Sequence, residues 1–311
     1  MKYTSQKDLD ISVFSLGTVQ LGMDYGLGNN TAKPKKEYAF SILDEAMKKG
    51  VNMLDTANNY GESEQVIGEW LKTVADSEKP MIVTKIGPFD HSSPEALKDD
   101  ICAQTEKCLQ TLDVERIDIL MVHDYADYEK NPDIVKKTFD ELKKSGKTRF
   151  TGISVYSRHD YFAVAKSGFD SVQIPLNIFD WKQIDNGGIK ALSDAGMMIF
   201  IRSVFLQGLV FLKPEEIDPR MDFCVPYIEK FYAFCDEFKL SPSVLAMSFA
   251  LSVTGAASLV LGCQTTEQLN NNCEMIDAVR ILTNEEMQKI HDAFADIDPR
   301  VTDPRCWFNS F

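Results

Sequence analysis

Apolar residues along this chain fall into two alternating rhythms. Short runs have the length and make-up of buried strands: Val13-Phe14-Ser15-Leu16, Val51 to Leu54, Met81-Ile-Val-Thr-Lys85, Ile117 to Val122, Phe150 to Ile153, Val172-Gln173, Met198 to Ile201 and Leu259-Val-Leu261. Between them apolar side chains return at helical spacing. Phe40, Leu43 and Met47, with Ile42 and Ala46 beside them, predict a helix that stops at Gly50. Val66, Ile67, Trp70 and Leu71 predict the next, with Glu62 or Ser63 at its start. Further helices are predicted at Pro94 to Leu112, Pro132 to Ser145, Tyr161 to Ser167, Gly187 to Ala195, Pro226 to Phe238 and Pro242 to Val253.

Eight strands with helical connections, and no linker-like segment among them, predict one closed (β/α)8 TIM barrel spanning residues 1–311. An open doubly wound sheet is the alternative, and it calls for a Gly-rich turn after the first strand that this chain lacks. Gly26-Leu-Gly28 has Thr31 where a third glycine belongs, so the segment reads as a loop beside the site. Residues 3–12 alternate loosely and turn at Lys7-Asp8, which predicts an N-terminal β-hairpin plugging one end of the barrel. The segment 297–311 has few helix signals and ends apolar, and is expected to fold over the barrel mouth.

In a parallel barrel the C-terminal strand ends share one face, where active sites are built. Asp55, Lys85, His123, Ser154, Gln173 and Arg202 stand at such ends, with Tyr60 in the loop above Asp55. Each has a bland reading: Asp55 and Lys85 as a structural ion pair, His123 as a satisfied core histidine, Tyr60 as a loop anchor. Those readings would have to coincide on three neighbouring strands, and buried charges need partners.

Composition narrows the partners. A formal charge of −14 and a pI near 4.8 argue against nucleic acid and anionic membranes, leaving small molecules. The N-terminal residues lack the apolar core of a secretory signal, and Ser248 to Gly262 is too short to span a bilayer. Seven irregularly spaced cysteines read as reduced thiols of a cytoplasmic protein. The four histidines show no ligand spacing, so no metal is expected.

The strand-end set suits proton transfer to a carbonyl oxygen. A tyrosine is a weak acid at neutral pH, a nearby ammonium favours loss of its proton, and a carboxylate holds that ammonium in place. A histidine beside them can orient the carbonyl. The missing part is an electron source, which a hydride-carrying cofactor would provide.

Asp55-Thr-Ala-x-x-Tyr60-Gly, Val83-Thr-Lys85 and Met121-Val-His123 resemble the catalytic tetrad of the aldo-keto reductases, in order and in strand placement. The resemblance runs from Gly17-Thr18 to the helix after Gly262. It implies a barrel that binds extended NADP(H) and reduces aldehydes or ketones. Tyr60 would be the general acid, Lys85 and Asp55 its tuning pair, and His123 the carbonyl-orienting group.

By the same resemblance Thr18, Ser154, Gln173, Arg202, Ser203, Gln207, Gly262, Gln264, Gln268, Asn271 and Asn272 fall at cofactor positions. Val155 stands where the family has asparagine. Arg202 stands where the family commonly stacks a tyrosine on the nicotinamide; it would stack there, pair with the pyrophosphate, or form a structural ion pair. The segment from Gly262 to Asn272 lacks the lysine or arginine that usually meets the 2'-phosphate, which predicts a relaxed preference that admits NAD(H). Tyr25, Trp181 and Trp307, with Phe308 and Phe311, are candidates for the substrate pocket. Two other readings are a non-catalytic, nucleotide-binding redox sensor of the same fold and a Schiff-base aldolase using Lys85.

Overall fold

The computed structural model describes residues 1–25, 33–253 and 255–307. The chain opens with an antiparallel hairpin of β1 (Tyr3–Gln6) and β2 (Leu9–Ser12), turning at Lys7, whose φ is 56°. Eight parallel strands follow: β3 (Phe14–Gly17), β4 (Met53–Asp55), β5 (Met81–Ile86), β6 (Ile117–Val122), β7 (Thr148–Ser154), β8 (Ser171–Pro175), β9 (Met198–Arg202) and β10 (Ala256–Gly262). They close into a barrel in chain order, with Leu261 and Gly262 of β10 beside Leu16 and Gly17 of β3. The expected (β/α)8 barrel and its hairpin are both present.

Local chemistry sets the element ends. The helix Pro94–Leu112 begins where Ser93 Oγ accepts from Ala96 N at 3.0 Å, with proline in the first turn, and ends at Asp113 in the left-handed region. The second barrel strand starts two residues later than its apolar run. Val51 N still donates to Ala46 O at 3.0 Å, closing the preceding helix, so Val51 is spent on the turn before Met53 enters the sheet.

Side chains facing into the barrel form one apolar layer: Met53, Val83, Ile119, Met121, Met198, Phe200 and Ala257. Leu9 and Ile11 of the hairpin join it, so the hairpin is a floor under the strands. A second, larger apolar layer lies between strands and outer helices. At the first-to-last strand seam Ser15 Oγ and Ser258 Oγ lie 2.6 Å apart, and Ser258 Oγ is 2.7 Å from Ser12 O, so these buried hydroxyls find partners within the wall.

Candidate active site

Asp55 ends β4, Lys85 lies near the end of β5, His123 follows β6, and Gln173 lies in β8. Barrel closure brings all four together. Lys85 is fully buried; its Nζ donates to Asp55 Oδ1 at 2.7 Å and to Thr56 O at 2.9 Å. The second carboxylate oxygen of Asp55 accepts from Gln173 Nε2 at 2.7 Å. Lys85 Nζ stands 5.0 Å from the centroid of the Tyr60 ring. Tyr60 in turn meets His123 edge to face, with centroids 5.6 Å apart.

Burial alone would lower the pKa of the Lys85 ammonium, but Asp55, and Tyr60 after it, outweigh that and raise it. Lys85 is therefore a cation at any working pH. His123 goes the other way: burial first, then the positive charges of Lys85 and Arg202, push its pKa down to about 3. It is a neutral imidazole, and its Nδ1 has no hydrogen-bond partner among the described residues.

The turn that presents Tyr60 is fixed from below. A Cβ at Gly22 would collide with Tyr60 O and Ser63 N, and Glu62 N donates to Gly22 O at 3.2 Å. Gly61 lies opposite, with φ of 57°. Beneath the turn Thr18 Oγ1 donates to Asp55 O at 2.9 Å and sits 2.7 Å from Ser63 Oγ. Lys33 pairs with Glu62, and its backbone N donates to Asp24 Oδ1 at 2.8 Å, which ties the first loop to the Tyr60 turn.

Tyr60 and His123 open into a cleft of about 720 Å³ across the C-terminal strand ends. Its walls include each residue expected to bind cofactor: Thr18, Ser154, Gln173, Arg202, Ser203, Gln207, Gly262, Gln264, Gln268, Asn271 and Asn272. Several of their polar atoms are engaged within the protein. Gln268 Oε1 accepts from Gln264 N at 2.8 Å, and Asn272 Nδ2 lies 3.3 Å from Cys263 Sγ. Arg202 donates to Val155 O at 3.0 Å and stacks on Tyr156 at 4.8 Å. No ion pair to Arg202 occurs among the described residues, and it is the one lysine or arginine on the cleft wall there.

Of the aromatic residues expected at a substrate pocket, Tyr25 lines the cleft. Trp181 and Trp307 do not. The indole N–H of Trp181 is spent on Ile178 O at 3.0 Å, and its ring packs on Phe249 and His291. Trp307 is buried, with its indole N–H on Arg300 O at 3.0 Å, and Arg300 covers the Phe223 ring. No described residue from 297 to 307 lines the cleft. Gly26 to Thr31, Phe308 and Phe311 lie outside the described residues. Val19, Gln20, Tyr156, Phe205, Leu206 and Phe211 are wall residues that the strand-end pattern missed; Tyr156 follows a strand end by two residues, its only sequence signal.

The donor set fits a nicotinamide dinucleotide. Neutral amides and hydroxyls line the wall, and two glycines let side chains pack close against the strand ends: a Cβ on Gly17 would press on Val260 at 3.2 Å, and one on Gly262 would collide with the Gln20 amide. Gln20 Oε1 is buried there without a partner among the described residues. Among those residues no group of three or more His, Cys, Asp or Glu could hold a metal ion, and no helix is long and apolar enough to cross a membrane. All seven cysteines are free.

The chain belongs to the aldo/keto reductase family, whose model matches residues 14–294. It is similar to the uncharacterized oxidoreductase YqkF of Bacillus subtilis, 28% identical over 302 residues that cover 91% of this chain and 92% of the relative. It is also similar to the norsolorinic acid reductase stcV of Emericella nidulans, at 24% identity over 91% of this chain and 78% of that one. Among solved structures, the holo form of aldo-keto reductase AKR11C1 from Bacillus halodurans superposes with a TM-score of 0.77 at 21% identity, covering 97% of this chain and all of that one. The glycerol dehydrogenase AKR11B4 of Gluconobacter oxydans gives 0.74 at 21% identity, covering 96% of each. These likenesses show the shared barrel.

Proposed function

We propose that the protein reduces aldehyde or ketone carbonyls to alcohols with NADPH or NADH. The observation that carries this reading is the grouping of Asp55, Lys85, Tyr60 and His123 at one end of the cleft. A dihydronicotinamide bound there would supply the hydride. Tyr60 gives its hydroxyl proton to the carbonyl oxygen as the carbon is reduced, and the Lys85 ammonium steadies the phenolate left behind. Asp55 keeps Lys85 charged and in place. His123, as a neutral imidazole, donates a hydrogen bond that orients the carbonyl without competing for the proton.

Ser154 and Gln173 would hold the carboxamide, and Arg202, Ser203 and Gln207 the ring and pyrophosphate. Gly262, Gln264, Gln268, Asn271 and Asn272 would hold the adenosine end, where no lysine or arginine stands on the described wall. A 2'-phosphate would then meet neutral groups and the start of the helix Thr266–Ala278, which already carries Glu267 in its first turn. NADPH and NADH are expected to bind within about tenfold of each other, a difference of about 1.4 kcal/mol.

Fluorescence titration with each nucleotide, followed by loss of 340 nm absorbance with a panel of small aldehydes, tests both statements. Turnover that disappears in Tyr60→Phe while nucleotide affinity stays within a few-fold supports the reading. Binding without turnover of any carbonyl would favour the redox sensor. Lys85 is shielded from the cleft, so borohydride should trap no adduct on it; a trapped adduct would revive the aldolase.

A further inference from the structure

Outside the cleft one side chain touches both the loop that carries Tyr60 and the loop that follows Lys85 out of β5. Gln104, on the helix Pro94–Leu112, makes four hydrogen bonds with a single amide. Its Oε1 accepts from Asn58 Nδ2 at 2.8 Å and from Gly87 N at 3.0 Å. Its Nε2 donates to Pro88 O and Asp100 Oδ2, each at 3.0 Å. Asn58 is two residues before Tyr60, and Gly87 is two residues after Lys85.

Hydrogen-bonding chemistry fixes both amide orientations. Gly87 N is a donor only, so Gln104 must turn its oxygen toward it. Asn58 must then present its NH2 group to that oxygen. Doing so leaves Asn58 Oδ1 buried with no partner among the described residues, a cost of about 1–3 kcal/mol. A loop that needed only packing would not hold an asparagine in that state. The two segments are already joined by backbone, Thr56 N to Val83 O at 2.8 Å and Asn58 N to Lys85 O at 3.0 Å. Gln104 adds the side-chain clasp that keeps them from sliding.

We propose that Gln104 is a positioning residue: through Asn58 and Gly87 it sets the distance between the Tyr60 phenol and the Lys85 ammonium, and so the rate of proton delivery. This rests on the reductase reading above. It touches neither cleft nor substrate, so its effect falls on the chemical step and leaves binding alone.

The test is a double-mutant cycle on the full chain with Gln104→Leu, Asn58→Ala and the pair, measuring kcat, KM, nucleotide Kd, melting temperature and the isotope effect with 4-deuterated cofactor. Gln104→Leu is expected to lower kcat about 10- to 100-fold with KM and Kd within threefold, and to raise the isotope effect because chemistry becomes slower. Asn58→Ala should lower kcat less, and adding it to Gln104→Leu should change little further. If Gln104→Leu lowers the melting temperature while kcat per folded site and the isotope effect stay at wild-type values, the residue is merely structural and the proposal is overturned. Additive losses in the double variant would also overturn it. Should the wild type turn over no carbonyl, the reductase reading falls and this proposal with it; a working wild type with an unaffected Gln104→Leu overturns the proposal alone.

Discussion

Gln173 Nε2 donates to Asp55 Oδ2 at 2.7 Å, so the Asp55 carboxylate is shared between an amide and the Lys85 ammonium. Gln173 thus supports the Asp55–Lys85 pair directly, and its Oε1 and second amide proton are left over. Gln173→Met leaves one buried carboxylate oxygen without a donor. Stability should fall by about 1–3 kcal/mol in urea denaturation, and kcat should fall along with nucleotide affinity.

His123 refuses a proton down to about pH 3, whereas an unfolded histidine accepts one near 6.5. Below pH 6.5 the unfolded chain therefore binds a proton that the native state does not, and stability drops as pH falls. By pH 5 this one group should cost about 2 kcal/mol relative to pH 7.5. Denaturant midpoints at both pH values, compared between wild type and His123→Gln, isolate it: the variant should lose less stability on acidification.

Gly22 lies against the Tyr60 turn with no room for a methyl group. Gly22→Ala should force the turn outward and cost about 1–3 kcal/mol or more, with kcat falling further than the melting temperature alone would suggest. An unchanged kcat would mean that the Tyr60 turn adapts.

Lys85→Met removes the cation from a buried carboxylate. Asp55 keeps Gln173 but loses its ion pair, and about 3–5 kcal/mol of stability should go with it. The proposed reduction should vanish, and added alkylamines should restore it poorly, because the Lys85 position is fully buried.

Trp307 belongs to the packed core, not to the mouth of the barrel. Trp307→Ala should cost about 3–5 kcal/mol in thermal or chemical unfolding while leaving KM for any accepted carbonyl within about twofold.

The barrel was legible because each strand is a short apolar run between helices whose apolar residues keep the helical period. Asp55, Lys85 and His123 were legible as polar residues where such runs stop. Trp181 and Trp307 misled because an aromatic residue near a strand end or in a tail suits core and pocket equally, and only the spent indole N–H of each tells them apart. The bond between Gln173 and Asp55 joins residues 118 apart in sequence, and no local pattern records it. The loop after β9 was also hidden. Ser203, Leu206 and Gln207 all adopt positive φ, of 62°, 46° and 54°, where sequence gives no glycine to signal it.

The hairpin floor has an electrical consequence. Leu9 and Ile11 cap the barrel with hydrocarbon, so the cleft, which Asp55 and Tyr60 line and from which Lys85 is shielded, is the wet side of the group. The field between these groups is insulated over one hemisphere and screened over the other. Whatever fills the cleft completes the insulation, so the attraction between the Lys85 ammonium and the Asp55 carboxylate is at full strength only when the site is occupied.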